Sequence, residues 1–203
     1  MAGREHWEQV YRTKAPTEVS WYQSSVETSL GFLERAGAGL SARVIDVGGG
    51  ASVFVDRLLD LGFSRPAVLD IADAALDAAR ARLGPQASAI EWIVTDVTTW
   101  RPSAPFNVWH DRAVFHFLTD PEARAGYAEA LTSGLRPGGA LIVATFSPDG
   151  PERCSGLPVQ RWSVEALAAE FGPSFDLQES RLEQHRTPSG SLQAFTWALF
   201  RRR

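Results

Sequence analysis

The sequence predicts an α/β fold in which a doubly wound, mainly parallel sheet carries helices on both faces. Short apolar runs typical of buried strands alternate along the chain with stretches whose apolar residues follow helical spacing. In addition, Asp46, Asp70 and Asp96 each end one of three successive predicted strands. Because the carboxyl ends of parallel strands meet at one edge of such a sheet, we expect these carboxylates to border a common ligand crevice.

Length and composition are those of an ordinary globular chain. We expect the 203 residues to form a single domain over residues 1–203 with a sizeable core. The formal net charge of −4 provides no electrostatic basis for a nucleic-acid partner. Cys154 is the only cysteine, which excludes an intrachain disulfide and a cysteine-cluster metal site, and we expect no bound metal.

The sequence also lacks the usual signals for membranes and export. No apolar run approaches the length of a membrane span, and the first residues lack the apolar core of a signal peptide. We therefore expect a cytoplasmic protein without a membrane partner. The oligomeric state has no sequence signal.

The stretch from Arg43 to Val53, R-V-I-D-V-G-G-G-A-S-V, has the pattern of a strand, a glycine turn and the start of a helix. Val44, Ile45 and Val47 are predicted to form a short buried strand, and the glycines that follow allow a turn too tight for side chains. Residues 52–61 continue with helical spacing. In α/β proteins this arrangement binds a cofactor that contains adenosine.

Two kinds of adenosine cofactor are consistent with this layout. A dinucleotide site needs the pattern G-x-G-x-x-G, but Gly48, Gly49 and Gly50 are followed by A-S-V, so the third glycine is missing. Asp46, directly before the glycines, would repel a pyrophosphate but could accept a hydrogen bond from a ligand ammonium. The residues therefore favour a cofactor with an amino group over a dinucleotide.

The remaining elements alternate in the same way. Further strands are predicted at 66–71, 90–94, 106–110 and 141–146, helices at 73–83, 121–131 and 164–171, a turn at 135–140, and a closing hairpin of strands at 175–183 and 192–201.

The glycine stretch resembles motif I of the class I S-adenosylmethionine-dependent methyltransferases, a hydrophobic strand that ends in Asp/Glu-x-Gly-x-Gly-x-Gly. Asp46, Gly48 and Gly50 match this motif, and Ser52 stands at the position of the last glycine. L-R-P-G-G at 135–139 is similar to the turn before the fifth strand of the same family. The resemblance implies a Rossmann-like, seven-stranded mixed sheet with strand order 3-2-1-4-5-7-6.

The resemblance also implies a set of residues that bind S-adenosyl-L-methionine and its product, S-adenosyl-L-homocysteine. An acid at the end of the second strand, Asp70, can accept hydrogen bonds from both ribose hydroxyls. Asp96 and Val97 occupy the positions that bind the adenine amino group and pack on the adenine ring. The complete expected set is Trp21, Asp46, Gly48, Gly49, Gly50, Asp70, Ile71, Asp96, Val97 and His110.

Residues after the fourth strand are the candidates for catalysis. Asp111 and His116 are expected near the reactive methyl group, where either could accept a proton from an amine or hydroxyl. For a thiolate or another soft anion, His116, Tyr22 and Arg112 would suffice to orient the acceptor. An Asp111–Arg112 ion pair and a buried packing histidine are the structural alternatives.

Two variable segments are expected near the site. Residues 1–40 contain predicted helices at 5–11 and 25–36 and more aromatic side chains than a sheet needs, so they form either a lid over the cofactor or an anchor for the N-terminal helix. Residues 147–162 are too rich in proline and glycine for a simple connector and form a candidate functional loop. Cys154, within this loop, is expected to be an ordinary loop cysteine.

The activity implied is transfer of a methyl group to a small-molecule nucleophile by in-line displacement. Because the N-terminal pattern also resembles small methyltransferases that act on proteins, a protein lysine methyltransferase is the alternative, and an open acidic rim would favour it. The signature Asn/Asp-Pro-Pro-Phe/Tyr is absent after the fourth strand, which argues against nucleic-acid substrates. A non-catalytic S-adenosylmethionine-binding module or an NAD-dependent enzyme are further alternatives.

Overall fold

The structure is a computed structural model that describes residues 3–203, so the first two residues of the expected lid segment lie outside it. Its strands are β1 (Arg43–Val47), β2 (Arg65–Asp70), β3 (Glu91–Val94), β4 (Phe106–Arg112), β5 (Leu135–Phe146), β6 (Arg153–Cys154), β7 (Leu157–Pro158), β8 (Phe175–Arg186) and β9 (Leu192–Arg202). Its α-helices are α1 (Arg4–Thr13), α2 (Glu27–Arg35), α3 (Phe54–Asp60), α4 (Asp73–Leu83), α5 (Pro121–Gly134) and α6 (Val164–Phe171).

Seven of these strands form one mixed sheet in the order β3-β2-β1-β4-β5-β9-β8. Numbered by their order within this sheet alone, the strands run 3-2-1-4-5-7-6, which confirms the expected topology. The first five strands pair in parallel, and β9 pairs antiparallel with both β5 and β8. Strands β6 and β7 form a separate two-stranded hairpin, the 153–158 hairpin, within the segment expected to be a functional loop.

Helices cover both faces of the sheet because the strands are apolar on both sides. On one face, α5 and α6 pack on side chains such as Ile45 and Leu141, and on the other, α2 and α3 pack on side chains such as Val44 and Ile142. Residues that alternate along one strand therefore reach opposite layers, as the two-residue period of a strand requires. This alternation decides which side chains at the strand ends face which layer.

Two element boundaries differ from the prediction. Strand β4 continues through Asp111 and Arg112, because both residues pair with β5. The expected turn at 135–140 lies inside β5: Leu135 pairs with Phe106 and Ala140 pairs with Val108, so the four residues between them bulge out of the ladder. Gly138 in this bulge has a φ of 71°, which favours glycine.

Within residues 3–203, no helix is long and apolar enough to cross a membrane.

A buried hydrogen-bonded chain joins α5 to the end of β4. The Trp109 indole N–H donates to the Tyr127 hydroxyl over 2.9 Å, and that hydroxyl donates to Oδ2 of Asp111 over 2.8 Å. All three side chains are buried. Because buried polar groups lose their contacts with water, each member of the chain depends on the next one for a partner.

We expect Tyr127→Phe to lower the free energy of unfolding by about 1–3 kcal/mol, because the Trp109 N–H and one Asp111 oxygen would lose their partner. Urea denaturation followed by circular dichroism measures this change. Tyr22→Phe is the matched control, since the Tyr22 hydroxyl is half-buried and makes no hydrogen bond within the described residues. Equal stabilities for the two variants would show that the chain contributes no net stability.

Candidate active site

In the turn after β1, glycine backbone packs directly against residues at the ends of β2 and β4 and against α1. Gly48 has a φ of 66°, and a Cβ atom built there would lie 1.9 Å from Cγ2 of Val114. A Cβ on Gly50 would lie 2.9 Å from both Oδ2 of Asp70 and the Tyr11 hydroxyl. Side chains are therefore excluded at both positions by conformation and by space. Ser52, at the position of the missing glycine, accepts a hydrogen bond from the Phe54 N–H at the start of α3.

A cleft runs along the carboxyl edge of the sheet beside this turn, and we call it the main cleft. It contains about 740 Å³ of space outside atoms, part of it open to solvent. Six of the expected cofactor-binding residues line it, namely Trp21, Gly48, Asp70, Ile71, Asp96 and Val97. A side cleft of about 560 Å³ is lined by the expected residues Tyr22, Asp46, Gly49 and His110, and it shares Tyr11, Trp21, Gly48 and Arg112 with the main cleft.

Asp70 is a buried carboxylate at the end of β2. Its Oδ1 accepts a hydrogen bond from the Ala72 N–H over 2.9 Å. Burial raises the pKa of Asp70 to about 7, and the charge of Asp46 acts in the same direction. Asp70 is therefore balanced between its charged and neutral forms near neutral pH, and a ligand that donates hydrogen bonds would favour the charged form.

Asp46 lies beside His110 because the two residues are register partners in the parallel pair of β1 and β4. Nδ1 of His110 lies 2.7 Å from Oδ1 of Asp46, and Nε2 of His110 lies 3.0 Å from the Ser29 hydroxyl. Oδ2 of Asp46 is buried and has no protein partner. A buried carboxylate oxygen without a donor is costly, so this oxygen suits a ligand group that carries N–H donors.

Asp96 follows β3 and holds the turn that ends the cleft. Its Oδ1 accepts hydrogen bonds from both the backbone N–H and the hydroxyl of Thr98, over 2.9 and 2.7 Å. Val97 is buried next to it on the wall of the main cleft. The pair combines a carboxylate with an apolar surface, which suits a flat heterocycle that carries an amino group.

Aromatic side chains from the N-terminal segment form the opposite wall of the main cleft. Trp7 packs edge-on against Trp21 and Phe117, with ring centroids 5.7 and 5.1 Å apart, and the Trp21 N–H donates to the Tyr11 hydroxyl over 3.3 Å. Burial raises the pKa of Tyr11, with a further contribution from the charge of Asp70. Tyr11 was not among the expected site residues, although its spacing from Trp7 in H-W-x-x-x-Y puts both on one helix face.

Asp111 does not face either cleft, which corrects its expected catalytic position. Its Oδ1 accepts from the N–H groups of Val114 and Phe115, and its Oδ2 accepts from Tyr127. The reason is strand alternation: β4 extends past His110, so Asp111 turns to the α5 layer while its neighbours face the clefts. It holds the turn that follows the strand.

His116 is corrected in the same way. It lies in a single 3₁₀ turn, Phe115–Phe117, which directs Phe117 to the main cleft and His116 into the core. Its ring is 4.6 Å from the ring of Phe146, and its Nδ1 accepts a hydrogen bond from the Phe146 N–H. Burial and the charge of Arg112 lower the pKa of His116 to about 3. A neutral, enclosed imidazole is not placed to receive a proton from a ligand.

The 153–158 hairpin closes one end of the main cleft. Cys154 is buried and lines the cleft. Burial raises the pKa of its thiol to about 11, which keeps the group neutral at neutral pH. The Ser155 hydroxyl lies 3.4 Å from Nε2 of His6, so the hairpin touches α1 across the cleft.

The comparisons with known proteins agree with this geometry. Residues 44–139, from β1 to the bulge in β5, match a family model described as a methyltransferase domain. EEF1A lysine methyltransferase 2 of Homo sapiens is 25% identical over 203 residues, which cover 93% of this chain and 78% of that protein. Thiocyanate methyltransferase 1 of Arabidopsis thaliana is 35% identical over 80 residues, or 38% of this chain and 35% of that protein.

A solved structure of similar fold is the N-methyltransferase NodS of Bradyrhizobium japonicum WM9 in complex with S-adenosyl-L-homocysteine. The TM-score is 0.74 at 17% identity, over 98% of this chain and 97% of that chain. The glycine motif, the strand order and the family match over residues 44–139 agree in their similarity to the class I S-adenosylmethionine-dependent methyltransferases.

Proposed function

We propose that the protein is an S-adenosylmethionine-dependent methyltransferase that acts on a small-molecule nucleophile, and that the main cleft holds both cofactor and acceptor. We further propose that residues 1–203 form one domain whose segment 1–40 acts as a lid, and that the protein works in the cytoplasm. The observation that carries the choice of acceptor is the enclosure of the main cleft. Such enclosure favours a compact acceptor over an extended polypeptide.

Three sets of contacts produce this enclosure. The aromatic wall of Trp7, Tyr11, Trp21 and Phe117 covers one side, and the 153–158 hairpin closes one end. Helix α1 is tied to α4, because the Asp73 N–H donates to Oε1 of Glu8 over 2.7 Å. A wall that excludes water strengthens every electrostatic interaction inside the cleft.

The lining of the cleft fits the expected cofactor. In this proposal Asp70 accepts hydrogen bonds from the ribose hydroxyls, while Asp96 and Val97 hold the adenine. The unpartnered Oδ2 of Asp46 accepts from the ammonium, and the bare backbone of the glycine turn leaves room for the ligand. When bound, S-adenosylmethionine supplies a methyl group that its sulfonium has already activated. The aromatic wall provides π-faces that stabilise such a cation.

The main work left to the protein is to position the acceptor and to exclude water. Asp111 and His116 are both turned away from the clefts, and the Cys154 thiol is neutral. We therefore propose an acceptor that is already nucleophilic, such as a thiolate, another soft anion or a neutral amine. Tyr22, on the side cleft, remains a candidate for orienting it. A relative named for thiocyanate is consistent with a small anion as acceptor.

Protein lysine methylation is the second candidate, because the human relative named as a lysine methyltransferase aligns with 93% of this chain. The cationic guanidinium of Arg112 borders both clefts and would oppose a lysine ammonium. A non-catalytic S-adenosylmethionine-binding module and an NAD-dependent enzyme are the remaining alternatives. The missing third glycine counts against the NAD-dependent enzyme, and the three carboxylates at the strand ends count against a degenerate site.

The proposal is tested by incubating the protein with S-adenosylmethionine labelled in the methyl group. One set of reactions contains thiols, thiocyanate and amines, and a second set contains a bacterial protein extract. The proposal expects label in the small-molecule fraction. Label in acid-precipitable protein alone would instead favour the second candidate, and binding without any transfer would favour the non-catalytic module.

Gly48→Ala should weaken S-adenosylhomocysteine binding by at least about tenfold, because the added methyl group clashes with Val114 and deforms the turn. Calorimetric titration measures the change. Gly37→Ala is the matched control: Gly37 has the same φ of 66°, but no atom lies within 4 Å of its added Cβ. Equal affinities for the two variants would remove the glycine turn from the binding site.

Asp70→Asn should weaken S-adenosylhomocysteine binding by roughly 10–100-fold, because hydrogen bonds to a charged acceptor are each worth about 1.5–3 kcal/mol. Titration calorimetry at pH 8, where Asp70 is mainly charged, gives the clearest reading. Asp77→Asn, an exposed acid on α4, serves as the control. An unchanged dissociation constant for Asp70→Asn would remove this residue from the proposed ribose site.

The same substitution should stabilise the free protein. Because the pKa of Asp70 is raised from 3.8 to about 7, the unfolded chain releases this proton at lower pH than the folded chain does. Wild-type stability therefore falls as pH rises from about 4 to 7, and the penalty persists above pH 7. Asp70→Asn should melt at least about 3 °C above wild type at pH 8, with a smaller gain at pH 5. A gain independent of pH would contradict the shift.

A further inference from the structure

Arg112 is a half-buried residue whose guanidinium has no counterion in the described part of the chain. None of the ion pairs within 4.0 Å among residues 3–203 includes it, whereas half-buried arginines such as Arg43 and Arg124 each pair with a carboxylate. Burial lowers the pKa of Arg112 to about 10, so the group is still charged at neutral pH. A buried charge without a partner costs several kcal/mol unless something else compensates for it.

Two contacts fix the position of the guanidinium. Its Nη1 donates to the Trp21 carbonyl oxygen over 3.0 Å, and its Cζ lies 4.7 Å from the ring centroid of Phe195. Its Nε and Nη2 atoms are buried and have no hydrogen-bond partner. The side chain is therefore held in place with two of its three nitrogens unused.

The two unused nitrogens form one complete edge of the guanidinium. The N–H bonds of Nε and Nη2 point in parallel, which is the geometry that binds the two oxygens of a carboxylate at once. One N–H group without a partner could result from imperfect packing. Two parallel N–H groups without partners match the two oxygens of a carboxylate. Arginine also suits this role better than lysine, which lacks the planar pair of donors.

No carboxylate of the described residues lies within 4.0 Å of this edge, and this includes Oδ2 of Asp46, which has no partner of its own. Oε1 of Glu183 accepts from Thr28 and its Oε2 accepts from Trp197. Asp46 uses Oδ1 with His110. The Cys154 thiol nearby is neutral, because burial raises its pKa to about 11. The missing partner must therefore come from a ligand.

Arg112 lies where such a ligand would pass. It lines both the main cleft and the side cleft, together with Tyr11, Trp21 and Gly48. A ligand that extends from one cleft into the other would therefore lie close to these four residues. Since the free edge is buried, its partner must come from within the clefts and not from bulk water.

We propose that the Nε–Nη2 edge of Arg112 binds a carboxylate of the ligand in a bidentate manner. The inference rests on the proposed function, because it takes the two clefts as the ligand site. The carboxylate belongs either to the amino-acid end of the cofactor or to the methyl acceptor. In either case Arg112 positions the ligand and selects for its negative charge.

The test compares two adenosine thioethers that differ in one part. S-adenosylhomocysteine carries the amino-acid end, and 5′-methylthioadenosine lacks it. Dissociation constants are measured by calorimetry for wild type, Arg112→Gln, Arg112→Lys and the control Arg181→Gln, which changes an exposed arginine on β8. In a second arm, acetate and benzoate are added to each protein with and without S-adenosylhomocysteine, and melting temperatures are recorded.

Either of two results supports the proposal. In the first, Arg112→Gln weakens the binding of S-adenosylhomocysteine at least about tenfold and leaves that of 5′-methylthioadenosine unchanged, with Arg112→Lys intermediate; the carboxylate is then that of the cofactor. Alternatively, both thioethers bind normally, and acetate or benzoate stabilises wild type but not Arg112→Gln; the carboxylate is then that of the acceptor. Arg181→Gln should behave as wild type in both arms.

Two other results overturn the proposal. Equal weakening of both thioethers would show that Arg112 only supports the structure, and no response in either arm would show that its free edge binds no carboxylate. Failure of the proposed function is separate from both: wild type would then bind neither thioether. In that case the carboxylate arm on the free protein still decides the role of Arg112.

Discussion

The structure depends on a close approach of bare backbone at the carboxyl edge of the sheet. At Gly48 there is no room for even one carbon atom beyond the backbone, because Val114 of the following loop fills that space. The approach joins the ends of β1, β2 and β4, since the Gly48 N–H also donates to the Leu69 carbonyl oxygen over 2.7 Å. Because the turn at Gly48 carries no side chain, the space beside it remains open as the main cleft.

Around this turn the fold gathers charges that it does not fully pair. One oxygen of Asp46 has no donor, and two nitrogens of Arg112 have no acceptor. Burial raises the pKa of Asp70 to about 7. Each of these groups costs stability in the free protein. Such costs are typical of binding sites, where a ligand supplies the missing partners. Binding and folding therefore make opposite demands on the same residues.

Much of the fold and of the cofactor side of the site could be predicted from sequence, because local patterns determine both. Apolar runs located the strands, and acids at their ends located the edge where Asp46, Asp70 and Asp96 lie. The glycines after β1 required a tight turn at a single place. These patterns depend only on residues close together in the sequence, so they can be recognised without knowledge of the tertiary structure.

The catalytic side could not be predicted in the same way, because it depends on where one strand stops. Strand β4 runs two residues past its predicted end, which turns Asp111 to the α5 layer and leaves Arg112 facing the clefts. A single 3₁₀ turn then directs His116 into the core and Phe117 to the main cleft. Because side chains alternate along a strand, the two added residues of β4 point to opposite layers, and only Arg112 borders the clefts.

The central claim is that this edge of the sheet binds an adenosine cofactor with an amino-acid end and not a dinucleotide. The most direct measurement is a calorimetric titration of the wild-type protein with S-adenosylhomocysteine and, separately, with NAD. The account predicts a dissociation constant in the micromolar range for S-adenosylhomocysteine and no binding of NAD. Binding of NAD without binding of S-adenosylhomocysteine would contradict it.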